Sequence, residues 1–312
     1  MTSLLKEISP IKLAFGGASI SGEGRGYGFG DISEDQSIAL LKYAFDRGIK
    51  IYDTAPIYGF RASEQRIGRA FRHNRDQVFI VSKCGVSWHD NLRVNMSNHP
   101  QIVTRMLETT LKDLSSSYVD LYLIHWPDKN VDVRFTMEVL SKAKREGKIN
   151  HIGLCNTTLE EIKKASEVEK IEVLQSELNL FNRKVIHELF QEIKQNERSF
   201  MSFGTLDKGI LTGRAHAGRK YDESDLRGHA PWWKKSNLEF KFQKYEKLKT
   251  VRDEYQLSGI DLAIGHNLMY DEVDQVIVGA RSQQQLDEAI SSTQKLVPVA
   301  AILKAISIID DE

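Results

Sequence analysis

Eight short runs rich in apolar residues recur along the chain, separated by longer segments whose apolar positions return every three or four residues. The runs are 12–16 (KLAFG), 49–53 (IKIYD), 78–83 (VFIVSK), 120–125 (DLYLIH), 149–155 (INHIGLC), 173–179 (VLQSELN), 199–204 (SFMSFG) and 275–280 (QVIVGA). Their length suits strands, and the periodic segments between them suit amphipathic helices. The segment opening at Ser33 and closing at Gly48 reads as a helix with a hydroxyl cap and a glycine stop. Segments 98–114 and 133–147 read similarly, and TTLEEIKKASEV, from Thr157, opens like a capping box. Strands alternating with helices predict a parallel sheet. Eight such units over this length predict a closed (β/α)8 TIM barrel, with residues 1–312 forming a single domain. A doubly wound open sheet is the alternative.

Composition narrows the partners. Lys+Arg 43 balances Asp+Glu 43, which argues against nucleic acid or an anionic membrane as the main partner. Hydrophobic residues at 41% and charged residues at 28% are ordinary for a soluble globular chain. Cys84 and Cys155 give no disulfide framework and no Cys-x-x-Cys pair, which fits a reducing, cytoplasmic setting. The opening residues, MTSLLKEISP, lack the apolar stretch of a signal peptide. No run approaches the roughly 18 apolar residues of a membrane span. Nothing in the sequence fixes an oligomeric state.

In a barrel of this kind the C-terminal strand ends form one mouth. Asp53, Lys83 and His125 close three consecutive predicted strands, so three different ionisable groups converge there. Singly, each has a plainer reading: a turn-forming acid, a solvated lysine, a structural histidine. At matched positions on successive strands they point to catalysis. Tyr58 follows Asp53 closely enough for its phenol to reach the same mouth. A phenol titrates at about 10, and a neighbouring ammonium lowers that value. Lys83 is therefore expected to make Tyr58 a stronger acid, with Asp53 keeping Lys83 charged and aimed. His125 offers an N–H to the oxygen that Tyr58 would protonate. Such a set polarises a carbonyl and protonates it as it becomes an alcohol. The hydride has to come from a cofactor, because no side chain supplies one.

These residues resemble the tetrad of the aldo-keto reductase family: Asp53 and Tyr58 in DTAPIYG, Lys83 in VSKCG and His125 in LIHWPD. The likeness runs in order along nearly the whole chain, through GLCNTTLEEI, LQSELNLFNR, SFGTLDKGILTGR and VIVGARSQQQLDEAI. It implies a small-molecule carbonyl substrate and a cofactor bound without a Rossmann fold, NADP(H) preferred and NAD(H) as the alternative. By the same resemblance, cofactor contacts fall on Gly16, Gly17 and Asp53. Asn156 and Gln175 meet the nicotinamide amide, and Phe203 stacks on its ring. Gly204, Thr205, Leu206, Gly209 and Leu211 follow the seventh strand; Gly279, Ala280, Arg281, Gln285 and Glu288 follow the eighth. Arg281 stands where the family meets the adenosine 2′-phosphate, and a guanidinium fork suits a phosphate dianion. Lys208, beside Gly209, could equally be a solvated loop lysine. Substrate contacts fall on Tyr58, Trp88, His125 and Trp126.

Three positions depart from the family pattern. Cys155 replaces a serine and is a weaker donor toward the carboxamide. Ala289 replaces an asparagine near the adenine, and Val278 replaces a proline. The glycine-rich stretch SGEGRGYGFG never satisfies G-x-G-x-x-G and reads as a flexible loop, a candidate lid. Trp232 and Trp233 are further candidates for an aromatic pocket, with plain packing as the alternative. His89, His99 and Arg227 are polar candidates without a role. Two other readings are a regulatory protein that binds cofactor without turnover, and a metal-dependent hydrolase using His125, Asp53 and His89. No His-x-His or other tight ligand spacing supports the latter, so no metal is expected.

Overall fold

Each of the eight apolar runs becomes a strand in a computed structural model, which describes residues 3–22, 28–221 and 224–311 apart from the side chain of Trp232. The strands are β1 (Leu13–Gly16), β2 (Ile51–Asp53), β3 (Phe79–Cys84), β4 (Val86–Trp88), β5 (Val94–Met96), β6 (Val119–Ile124), β7 (Ile149–Cys155), β8 (Val173–Glu177), β9 (Ser199–Phe203) and β10 (Gln275–Val278). Eight close into a parallel barrel in the order β1-β2-β3-β6-β7-β8-β9-β10, and β10 pairs back onto β1. The antiparallel pair β4–β5 is a separate hairpin, absent from the expected pattern.

Successive strand residues face opposite sides of the wall, and this sorts the core into two layers. Tyr52, Ile80, Tyr122, Leu154, Phe200 and Val276 pack outward against the helices. Ala14, Ile51, Val81, Leu121, Leu123 and Met201 fill the barrel interior. Helix Leu4–Ile8 adds Leu5 to that interior set, and the Leu5 N–H donates to Ser199 Oγ at 3.1 Å. Burying such a leucine contributes about 1.5–3 kcal/mol, and it stoppers the end of the barrel opposite the mouth. At Gly153 two strands come very close: a Cβ there would lie 2.3 Å from the Val173 carbonyl oxygen.

The helices start where the caps are. Ser33 caps Glu34–Asp46 with a full capping box: its Oγ accepts from the Gln36 N–H at 3.2 Å. Helix Leu159–Ser166 is capped by Thr158, one residue later than the expected Thr157, with Glu161 closing the box. Segments 98–114 and 133–147 settle as Pro100–Asp113 and Val133–Arg145. Between β9 and β10 lies a long insert of short helices, whose Leu211, Leu226, Trp233 and Tyr245 share a second apolar core with Leu180 and with Ala301 and Ala305 of the helix Val299–Asp310. Trp233 is therefore a packing residue, and the side chain of Trp232 lies outside the described residues. Among the described residues no single helix is long and apolar enough to cross a membrane. Much of the glycine-rich stretch also falls outside the described residues. Its end does not: the Gly30 N–H donates to the Ser224 carbonyl at 3.0 Å, and the Leu226 N–H to Gly28 at 3.0 Å.

Candidate active site

The period of two that sorts the core also builds the mouth. The inward positions at the strand ends hold Asp53 on β2, Lys83 on β3, Cys155 on β7, Gln175 on β8 and Phe203 on β9, and His125 directly follows β6. Lys83 is only 1% exposed. Its Nζ donates to both oxygens of Asp53, at 2.7 and 2.8 Å, and to the Thr54 carbonyl at 2.9 Å. All three ammonium donors are used, the condition under which a buried ion pair is tolerable. Gln175 Nε2 donates to Asp53 Oδ2 at 2.8 Å, and Gln175 Oε1 accepts from the Cys155 thiol at 3.3 Å. Asn156 Nδ2 donates to Cys155 Sγ at 3.1 Å and to the His125 carbonyl at 3.0 Å. A continuous hydrogen-bonded chain thus joins the backbone of His125 to the carboxylate of Asp53.

Tyr58 reaches the site on a turn. Its N–H donates to the Ala55 carbonyl at 3.0 Å, and Gly59 then takes a φ of 63°. A Cβ at Gly59 would lie 2.4 Å from the Ser21 carbonyl oxygen, so only glycine fits. The Tyr58 ring meets His125 edge-on, with centroids 5.9 Å apart at 90°, and Lys83 Nζ stands 5.2 Å from the Tyr58 centroid. Asp53, Tyr58, Lys83 and His125 therefore meet at one end of the barrel.

Burial governs the protonation of this set. It raises Tyr58, against the pull of Lys83, to about 12. The expected fall in the tyrosine pKa is thus reversed: loss of water around the phenolate outweighs the nearby ammonium, and the phenol holds its proton firmly. Burial would also drag Lys83 down, but Asp53 outweighs it and Lys83 titrates above its ordinary value. Burial, reinforced by the charge of Lys83, holds His125 well below its ordinary value, so the imidazole is neutral near pH 7.

A cleft of about 360 Å³ leads away from these residues, past Cys155, Gln175 and Phe203, over Gly204, Thr205, Leu206, Lys208 and Gly209, to Arg214, Arg219, Arg227, Arg281 and Gln285. Gly16 and Gly279 form part of its wall. Lys208 is not a solvated loop residue, because its Nζ lies 2.7 Å from Glu177 Oε1 and 3.3 Å from Asp207 Oδ1. Arg227 is locked by two bonds to Asp225, at 2.9 and 2.6 Å, and lies over the Tyr221 ring at 4.3 Å. The Arg281 N–H donates to Gln285 Oε1 at 2.9 Å, and its side chain donates to the Asp31 carbonyl. Burial lowers Arg281, and the like charges of Arg227 and Arg219 add to this. Arg281 Nε and Thr205 Oγ1 are buried without a protein partner. Crowded guanidinium groups and orphaned polar atoms in one cleft suit a long anionic ligand rich in acceptors, such as a phosphorylated dinucleotide.

Some expected contacts stand behind this lining or outside it. Lys83 lies beneath Asp53, and Leu211 and Ala280 are buried away from the cleft. Gly17 and Asn156 are also outside the lining. Glu288 pairs with Arg214. Trp88 packs on Phe60 with centroids 4.9 Å apart, and Trp126 sits on the rim, 44% exposed. The sequence reading missed Ser19, Phe29, Arg214 and Arg219, and gave Arg227 no role. Arg214 was legible as the last residue of SFGTLDKGILTGR. Phe29 and Arg219 lie in loops whose course no local pattern reveals.

The family model described as aldo/keto reductase family matches residues 12–306. The chain belongs to the aldo/keto reductase family. An aldo-keto reductase of Bacillus subtilis is 34% identical over 266 residues, spanning 84% of this chain and 80% of its own. An NADH-specific methylglyoxal reductase of Escherichia coli is 26% identical, with 84% of each chain covered. Among solved structures, a glycerol dehydrogenase of Gluconobacter oxydans superposes with a TM-score of 0.81 at 25% identity, covering 96% of this chain and 90% of its own. An aldo/keto reductase of Klebsiella pneumoniae, solved with NADP and acetate, gives 0.71 at 20% identity, covering 95% and 90%, and bears on the fold alone. As a member of the family the chain is an oxidoreductase, and carbonyl reduction is its general chemistry.

Proposed function

We propose that the protein reduces an aldehyde or ketone to the alcohol with NADPH, with Tyr58 as the proton donor. The observation that carries this reading is the meeting of Asp53, Tyr58, Lys83 and His125 at one end of a cleft whose far end is lined by arginines. Bound nicotinamide supplies the hydride. The neutral imidazole of His125 orients the carbonyl oxygen by donating an N–H, without adding charge. Tyr58 gives up its proton as negative charge develops on that oxygen. Lys83, held by Asp53, stabilises the tyrosinate left behind. Gln175 and Phe203, in the cleft wall, hold the nicotinamide, with Asn156 behind them donating to Cys155 Sγ and the His125 carbonyl. Arg281 engages the 2′-phosphate, with Arg219 and Arg227 alongside, which favours NADP(H) over NAD(H). The relatives span both preferences, since one from Schizosaccharomyces pombe carries NADP(+) in its name and the Escherichia coli reductase is NADH-specific.

The test is steady NADPH consumption against a panel of aldehydes and ketones. Turnover supports the reading. Tight NADPH binding with no turnover on any carbonyl would replace it with a regulatory, cofactor-sensing role. Arg281→Ala is expected to raise the NADPH KM roughly tenfold and leave kcat nearly alone, since it removes ground-state binding. An unchanged KM in initial-rate assays would contradict the phosphate contact.

A further inference from the structure

We propose that Ser63 and Glu64 are positioning residues for the reduction: side by side at the start of helix Ala62–Ala70, they pin the turn that carries Tyr58 to the strands that carry Asp53 and Lys83. This rests on carbonyl reduction with Tyr58 as the proton donor. Asp53 and Lys83 sit on strands, and the His125 N–H extends the ladder by donating to the Cys84 carbonyl at 2.9 Å. Tyr58 has no strand to hold it. Its place depends on how the two ends of its turn are anchored. The near end is β2. The far end is the helix, whose N-cap residue Arg61, at a φ of 85°, makes no side-chain cap bond. The Ser63 N–H instead donates to the Tyr58 carbonyl at 3.2 Å.

The first turn of that helix is tied to three strand ends. Ser63 Oγ accepts from Thr54 Oγ1 at 2.8 Å and donates to the Gly17 carbonyl at 3.0 Å. Glu64 Oε1 accepts from Ser82 Oγ at 2.6 Å. Thr54 directly follows Asp53 and lends its carbonyl to Lys83; Ser82 directly precedes Lys83. Two neighbouring residues thus each grip the residue beside a tetrad member. Thr54, Ser63, Glu64 and Ser82 are all 0% exposed. Packing does not call for the carboxyl. Glu64 lies between its helix and β3, where Ile67 and Ile80 belong to the apolar layer. Burial raises Glu64 to about 7, and its Oε2 has no hydrogen-bond partner. An apolar side chain of similar size would carry no such penalty. What the carboxyl adds is direction, a short bond to one atom of the lysine strand. Protonated or ionised, it accepts from Ser82, so this hold does not vary with pH.

The experiment measures kcat, NADPH affinity and melting temperature with the best aldehyde of the panel. Glu64→Met/Ser82→Ala removes both partners of one bond, so no buried hydroxyl is stranded. Its kcat is expected to fall at least about fivefold, because small misplacements of a reacting group are costly. NADPH affinity should stay within about twofold, and the melting temperature should be unchanged or higher. Glu64→Gln keeps an acceptor for Ser82 and should hold kcat within about threefold. Ser63→Ala deletes a single hydroxyl and should lower kcat at least about threefold; it carries the test if the double variant does not fold. A loss below about fivefold in the double variant, or below about threefold in Ser63→Ala, would overturn the positioning role and leave carbonyl reduction standing. So would a Glu64→Gln variant as slow as the double variant. A lower melting temperature with kcat unmoved would overturn it in favour of packing alone. No turnover on any aldehyde by the unaltered protein would overturn both.

Discussion

Lys83 spends all three donors on Asp53 and Thr54, so its charge is compensated before any ligand arrives. Lys83→Met would leave the buried Asp53 without its counter-ion, a loss of about 3–5 kcal/mol. Asp53→Asn/Lys83→Met removes both charges and is expected to recover a substantial part of that loss in urea unfolding. Equal losses for the single and the double variant would contradict the pairing. Protonation gives a second expectation. A general acid works in its protonated form, which is present below its pKa and lost above it. With Tyr58 at about 12 and His125 already neutral, kcat for reduction should stay level from about pH 6 to 9. A fall centred in that window, in a stopped-assay pH profile, would show that another group supplies the proton. The tetrad was legible because each member ends a strand or follows one closely, a purely local signal. Its protonation was not, because burial outweighs the Lys83–Tyr58 attraction and burial is a tertiary property.

At the scale of elements, one alternation does most of the organising. It sends Tyr52, Ile80 and Tyr122 to the helices and Asp53 and Lys83 to the interior. It also forces Gly153 against β8. Gly153→Ala would press a methyl group into the Val173 carbonyl, which cannot retreat without breaking the β7–β8 ladder. A destabilisation of about 1–3 kcal/mol is expected in urea unfolding, and a loss below about 0.5 kcal/mol would contradict the stated crowding. All eight barrel strands were readable because their apolar runs are bounded by turn residues. The β4–β5 hairpin was not, since its strands have three residues each and the HDNLR between them reads as loop. Helix Leu4–Ile8 escaped for the same reason: five residues carry too little period to register.

Across the whole molecule, a net charge of zero conceals a division along the cleft. One arm gathers Arg219, Arg227 and Arg281. At the other, Lys83 is cancelled by Asp53, His125 is neutral and Tyr58 is protonated. On the proposed function, this division would send the phosphates of the cofactor to the arginine arm and the uncharged carbonyl to the other. The cleft-lining place of Arg219 and Arg227 was hidden from sequence reading because the long insert after β9 carries them, and its path is set by packing within a second apolar core. The most direct test of this account is Tyr58→Phe, with NADPH affinity measured by fluorescence titration alongside turnover of a good aldehyde. The expected result is NADPH binding within about twofold of the unaltered protein and a kcat lower by roughly 10²–10⁴-fold. A variant that keeps its turnover within about tenfold would contradict the assignment of Tyr58 as the proton donor.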